Sequence, residues 1–128
     1  MKLLLDTHAF LWFIGGHPKM PSSARALIED ANNQSLVSIA SLWEMGIKLS
    51  LRRLYLEQPF DPFISQQLTR NGFELLQIGV KHVAELISLP FHHRDPFDRL
   101  LIAQANTEKM PLVSRDAAFD AYGVERLW

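Results

Sequence analysis

Lys2-Leu3-Leu4-Leu5-Asp6-Thr7-His8 sets three consecutive leucines directly before a carboxylate. An apolar run of strand length with no polar alternation suits a strand covered on both faces, as in a parallel sheet. In open parallel sheets, ligands bind outside the carboxyl ends of the strands. Asp6 is therefore expected at the ligand-binding edge.

Outward from that strand, Thr7 to Ile14 stays apolar and aromatic and stops at Gly15-Gly16, which predicts a turn and a short helix beneath the first strand. Pro21-Ser22-Ser23 offers capping hydroxyls to a helix through Ala24, Leu27 and Ile28 that ends at Asn32-Asn33. Ser35 to Val37 predicts a second strand. Ser38 to Leu54 carries the clearest helical pattern of the chain. Ile39, Leu42, Met45 and Leu49 form one apolar row, and Trp43, Ile47, Leu51 and Leu54 form another. A stripe that wide exceeds what one core needs and points to a partner.

Gln58-Pro59 breaks the pattern, and Asp61-Pro62 reads as an N-cap with proline at the first helical position, opening a helix closed by Asn71-Gly72. Phe73 to Ile78 predicts a third strand, Val80 to Leu89 a helix stopped by Pro90, and Phe91 to Arg94 a loop. Asp95-Pro96 opens a further helix whose row Phe97, Leu100, Leu101 and Ala105 faces inward. Leu112 to Ser114 predicts a fourth strand, with Asp116 just beyond it. A helical turn through Phe119 and Tyr122 then leads to a terminal strand from Val124 to Trp128. Strands alternating with helices imply a three-layer α/β/α sandwich around a mostly parallel sheet of four to five strands, here as one domain over residues 1–128.

A chain of 128 residues buries roughly two thirds of the surface its unfolded form exposes, so a core needs no staples. The absence of cysteine excludes disulfides and thiolate zinc sites and agrees with a reducing cytoplasm. The opening apolar run is too short for a signal-peptide core, and no later run approaches membrane-spanning length. A soluble cytoplasmic protein is expected. Thirteen Lys and Arg against fourteen Asp and Glu leave a net charge of -1, which gives no general basic field for a polyanion. Any nucleic-acid binding must then rest on a local patch or on bound metal.

Glu44, Asp98 and Asp116 follow apolar runs much as Asp6 does, and a parallel sheet would put all four at one edge. Two unit charges about 4 Å apart repel by roughly 4 kcal/mol at an effective dielectric near 20, so such acids must take up protons or bind a cation. An all-oxygen set suits Mg²⁺ or Mn²⁺, which points to phosphodiester hydrolysis. In this scheme Asp6, Asp98 and Asp116 ligate the ion directly, while Glu44 ligates it or orients the attacking water.

Each acid also has a plainer reading. Asp6 and Asp95 are natural helix caps, and Asp98 complements a helix dipole. Glu44 stands at capping-box spacing from Ser41 and at salt-bridge spacing from Lys48. Asp116 suits a turn. Taken together, these readings require four coincidences at one sheet edge. Among the remaining residues, Thr7 and Ser38 are placed to hydrogen-bond the acids or water, and Arg94, Arg99 and Arg115 to contact phosphate. Lys48, Arg52 and Arg53 suit phosphates or a solvated face equally well. His8, His92 and His93 are weaker candidates for substrate or metal contact.

With these residues in view, the chain resembles the PIN-domain ribonucleases, specifically the VapC-type toxins of bacterial toxin-antitoxin pairs. The resemblance runs through Leu-Leu-Leu-Asp-Thr-His at 3 to 8, Val-Ser-Ile-Ala-Ser-Leu-Trp-Glu at 37 to 44, Asp-Pro-Phe-Asp-Arg-Leu-Leu-Ile-Ala-Gln-Ala at 95 to 105 and Leu-Val-Ser-Arg-Asp at 112 to 116. It implies a metal-dependent endoribonuclease whose acids match Asp6, Glu44, Asp98 and Asp116, with Asp95 as a further acid. It also implies a homodimer and a small antitoxin that blocks the acidic pocket. Two enzyme rivals fit less well. A receiver domain wants a lysine near its last strand, and none follows Met110; a haloacid-type phosphatase wants Asp-x-Asp, and Thr7-His8 follows Asp6. A catalytically silent PIN-like module that binds a partner protein or RNA is the alternative reading.

Overall fold

The strands β1 (Lys2–Leu5), β2 (Gln34–Ser38), β3 (Glu74–Leu76), β4 (Leu112–Val113) and β5 (Arg126–Leu127) form one sheet in the computed structural model, which describes residues 1–128. All four pairings are parallel, in the order β3-β2-β1-β4-β5. The central strand is β1, in register with Leu36 and Val37 on one side and Leu112 and Val113 on the other. Leu3, Leu4 and Leu5 are fully buried, as expected of a strand covered on both faces. Burying a leucine contributes roughly 1.5–3 kcal/mol, so the segment that presents Asp6 is firmly seated.

The pleat divides these leucines between two cores. Leu3 and Leu5 pack with Phe10, Met45, Ile64 and Phe73, under α1 (Thr7–Gly15), α2 (Ser22–Glu29), α3 (Ile39–Ser50) and α4 (Phe60–Asn71). Leu4 packs with Leu101, Ile102 and Phe119, under α5 (Val80–Ser88), α6 (Pro96–Glu108) and a 3₁₀ helix over Ala117–Tyr122. Helices thus cover both faces of a five-stranded parallel sheet. No helix is long and apolar enough to cross a membrane. From β1 the chain steps outward to β2 and β3 and then returns to the far side of β1 for β4 and β5. That reversal opens a crevice at the carboxyl ends of β1 and β4, the place where such sheets bind ligands.

Several element boundaries differ from those expected. Pro21, not a serine hydroxyl, takes the N-cap of α2, which stops at Glu29 because Asp30 turns away and accepts a bond from Asn32. The third helix ends at Ser50 rather than Leu54, with Arg52 in the left-handed region at φ 57°. Pro59 is the N-cap of α4, so Asp61 and Pro62 lie inside its first turn. A proline is tolerated there because first-turn N–H groups lack intrahelical partners. The three later strands are shorter than predicted, β3 spanning Glu74–Leu76, β4 Leu112–Val113 and β5 Arg126–Leu127.

Candidate metal centre

Five carboxylates meet at that crevice: Asp6, Glu44, Asp95, Asp98 and Asp116 line one cavity of about 160 Å³, together with Thr7, His8, Lys48 and Phe119. Three of them also start helices. Asp6 caps α1, its Oδ1 accepting from the Ala9 amide at 2.8 Å, while Oδ2 accepts from the Ser114 hydroxyl at 2.6 Å. Asp95 caps α6 through bonds of 2.9 Å from the amides of Phe97 and Asp98. Asp116 caps the 3₁₀ helix by accepting from Ala118 at 2.9 Å. Capping and cavity lining are therefore not alternatives. The cap occupies one oxygen and fixes the rotamer, and it aims the positive ends of α1 and α6 at the same space.

Glu44 is held differently. It lies in the second turn of α3, whose N-cap is Ser38 rather than Ser41, so no capping box forms. Its two oxygens are engaged by the Thr7 hydroxyl at 2.7 Å and by the Lys48 ammonium at 2.9 Å. A half-exposed lysine one turn on thus fixes a site carboxylate.

Desolvation by burial is the main cause that raises the pKa of Asp6, with Glu44 adding to it; the bonds from Ser114 and Ala9 and the charge of His8 oppose it. The carboxyl of Asp98 is pushed up to about 7, first by burial and then by Asp95, Glu44 and Asp6, against the pull of His93. His93 Nε2 lies 2.8 Å from Asp98 Oδ2. Ligating atoms of His93, Asp98 and Asp116 all fall within 4.8 Å of one another. Asp6 and Glu44 lie outside that group but line the same cavity as Asp98 and Asp116, with their oxygens already hydrogen-bonded yet retaining lone pairs. A mostly carboxylate donor set in which burial, and then the charge of neighbouring acids, drives one member toward protonation fits a hard divalent cation such as Mg²⁺ or Mn²⁺.

Other expected residues lie elsewhere. Ser38 donates to Gln104 at 2.6 Å and caps α3; it bonds no site acid, because it ends β2 beneath α6. Arg99 is buried and turned away from the acids, its guanidinium donating to the carbonyls of Pro90, Leu86 and Leu89 at the end of α5 and in the following loop. Its guanidinium is engaged by backbone carbonyls and does not line the acidic cavity. Arg94 is exposed on the loop, and Arg115 borders a neighbouring cavity beside Trp12. His92 packs edge-on against Tyr122.

Two residues emerge more strongly than sequence alone suggested. His93 reaches Asp98 from the loop before α6, a placement that no periodicity announces. Ser114 links two acids: its hydroxyl donates to Asp6 and accepts from the Asp116 amide at 3.0 Å. Its position at the end of the strand beside β1 was the available signal. Replacing Ser114 by Ala is expected to destabilise the fold by about 1–3 kcal/mol, since a buried carboxylate loses its donor. Urea unfolding of the two proteins checks this; matched midpoints would remove Ser114 from the account.

Comparison with known proteins follows the same lines. The family model described as PIN domain matches residues 3–125. Ribonuclease VapC16 of Mycobacterium tuberculosis is 31% identical over 72 residues, covering 53% of this chain and 51% of that protein. The chain thus aligns with about half the length of that curated relative. Among solved structures, VapBC2 from Rickettsia felis, bound to a DNA fragment from its promoter, superposes with a TM-score of 0.73 at 18% identity, over 99% of this chain and 98% of that one. FitAcB from Neisseria gonorrhoeae gives 0.64 at 16% identity, over 98% and 96%. At these identities the structural likeness is one of fold.

Proposed function

The chain belongs to the PIN-domain family, and from that premise we propose that it is a metal-dependent endoribonuclease, the toxin of a toxin-antitoxin pair, which hydrolyses RNA phosphodiester bonds until a small antitoxin blocks it. The observation that carries the proposal is the cavity in which five carboxylates converge at the crevice between β1 and β4. The relative named a ribonuclease and a toxin-antitoxin complex from Klebsiella pneumoniae that shares the fold support the same reading.

In this reading Asp98 and Asp116 hold a Mg²⁺ or Mn²⁺ ion with Asp6, and Glu44 and Asp95 complete or flank the donor set. A bound divalent cation supplies charge neutralisation at phosphoryl oxygens and makes water more acidic. The chain's own part is positioning. Thr7 and Lys48 lock Glu44 in one orientation, from which it holds the attacking water or a ligand place. Ser114 sets the distance between the Asp6 and Asp116 segments, and the His93 Nε2 stands against Asp98 at 2.8 Å. The antitoxin has a surface available along α3 and its C-cap, where Trp43 is 60% exposed and Leu51 56%, beside the acidic cavity that Glu44 and Lys48 of that helix line. A homodimer would draw on the same kind of apolar surface.

The test is incubation of the purified, partner-free chain with single-stranded RNA in Mg²⁺, in Mn²⁺ and in excess chelator. Cleavage only where cation is present is expected. Equal cleavage in chelator rejects the scheme, and binding without any cleavage favours a silent module.

A further inference from the structure

Next to the acidic cavity lies a second one of about 360 Å³, within the range of roughly 300–1,000 Å³ typical of small-ligand sites. Three of its lining residues, Asp6, His8 and Asp116, also line the acidic cavity, so the two spaces adjoin one another. The rest of its lining is of another kind: Trp12, Trp128 and Arg115 bring two indoles and a guanidinium to a wall that carries no acid of its own. The two indole centroids stand 6.0 Å apart with their planes at 51°, which makes an open V rather than a closed stack. Trp12 is braced from outside the cavity by the ring of His17, stacked at 4.3 Å and 10°. The Arg115 guanidinium sits 5.6 Å from the Trp12 ring centroid. Both indoles pack on the core below, so the aromatic wall is preformed.

We propose that this cavity is a base-binding subsite: it takes the unpaired base of the nucleotide next to the phosphate that enters the acidic cavity. Indole faces bind nucleobases by stacking, a contact that tolerates every base because each has a π-face, and arginine adds a cation at the edge. A duplex would keep its bases stacked inside, out of reach of a recessed V, so the subsite favours single-stranded or looped RNA. The proposal rests on the nuclease reading for what occupies the neighbouring cavity. It supplies what the net charge of -1 withholds, since affinity for RNA then comes from aromatic surface and bound cation instead of a basic field.

The probes are the four nucleoside 5′-monophosphates and ribose 5-phosphate, which contain no phosphodiester bond to cleave, each titrated in Mg²⁺. The readout is the indole N–H resonances of the three tryptophans. Trp43 packs against Phe97 on α3 and lines neither cavity, so it serves as the internal control. At least one nucleotide is expected to shift the Trp12 and Trp128 signals, leave Trp43 in place, and bind about tenfold more tightly than ribose 5-phosphate, the size of one stacked base. Trp128→Leu should abolish that difference and Trp128→Phe should keep most of it. Arg115→Ala, a change at an exposed position with no structural bond, should weaken nucleotide binding severalfold while the fold stays intact. Equal affinity for all five probes overturns the subsite, as does a base effect that survives Trp128→Leu. Because hydrolysis is not part of the readout, an inactive protein that still discriminates bases would reject the nuclease reading alone, and an active one that ignores bases would reject the subsite alone.

Discussion

Asp6→Asn is expected to abolish RNA cleavage while leaving the folded protein as stable as the parent, or more so, in chelator. The two halves of that outcome have separate causes. Asparagine is as good an N-cap as aspartate, so Oδ1 keeps its bond from the Ala9 amide, and the amide nitrogen can donate to Ser114 in place of accepting from it. The substitution also removes a buried charge that desolvation disfavours. The structural cost is confined to the Ser114 hydroxyl, whose proton loses its acceptor on residue 6, and relief of the buried charge offsets it. What disappears is a negative oxygen on the wall of the acidic cavity, and the loss should exceed the roughly 10–100-fold that disturbing an outer partner of a metal ligand costs. Single-turnover cleavage in saturating Mg²⁺ together with thermal unfolding in chelator measures both halves. An active, folded Asp6→Asn protein would count decisively against Asp6 as a ligand.

The second large effect concerns pH. The folded-state pKa of Asp98 is raised from 3.8 to about 7, with burial as its first cause and the neighbouring Asp95 as its second. Between about pH 4 and 7 the folded protein therefore binds more protons at this site than the unfolded chain does. Stability from this group must fall as pH rises through that window and reach its lowest level above 7. Other carboxylates move the other way, Asp120 among them, held low by Arg126, so the comparison has to be differential. In chelator, the wild type should lose stability relative to Asp98→Asn as pH climbs from 4 to 7. Mg²⁺ should restore it, with a stabilisation that grows over the same window, because the cation must displace a proton to bind. Unfolding midpoints for the two proteins across that range, with and without Mg²⁺, decide the matter. Parallel curves for wild type and Asp98→Asn in chelator would show that Asp98 is not strained by its neighbours.

Both effects trace to one arrangement. Capping draws Asp6, Asp95 and Asp116 to helix starts, and the parallel sheet turns those starts toward one crevice. The sharing of a single cavity by caps and ligand candidates is thus a consequence of topology, and no acid had to sacrifice its local role to join the site.

The order of strands and helices was legible in the chain because hydrophobic period and capping chemistry are local. An uninterrupted Leu3 to Leu5 specifies a doubly covered strand, and Asp95-Pro96 specifies a helix start, wherever the rest of the chain goes. Boundaries were less legible where two local signals compete. At Pro59 and Asp61-Pro62 either proline can open a helix, and packing of Phe60 and Phe63 on the core chose the earlier one. Arg99 shows the opposite limit. By sequence it is one more cation among acids, separated from Asp98 by a single residue step. On a helix adjacent residues point about 100° apart, so the structure sends Asp98 to the cavity and Arg99 into the carbonyls behind it. The pairing of His93 with Asp98, of Ser114 with Asp6 and of Trp12 with Trp128 was decided only by the tertiary structure. Each joins segments that have no local reason to meet, and a one-dimensional pattern carries period and cap but not the distance between side chains that a sheet brings together.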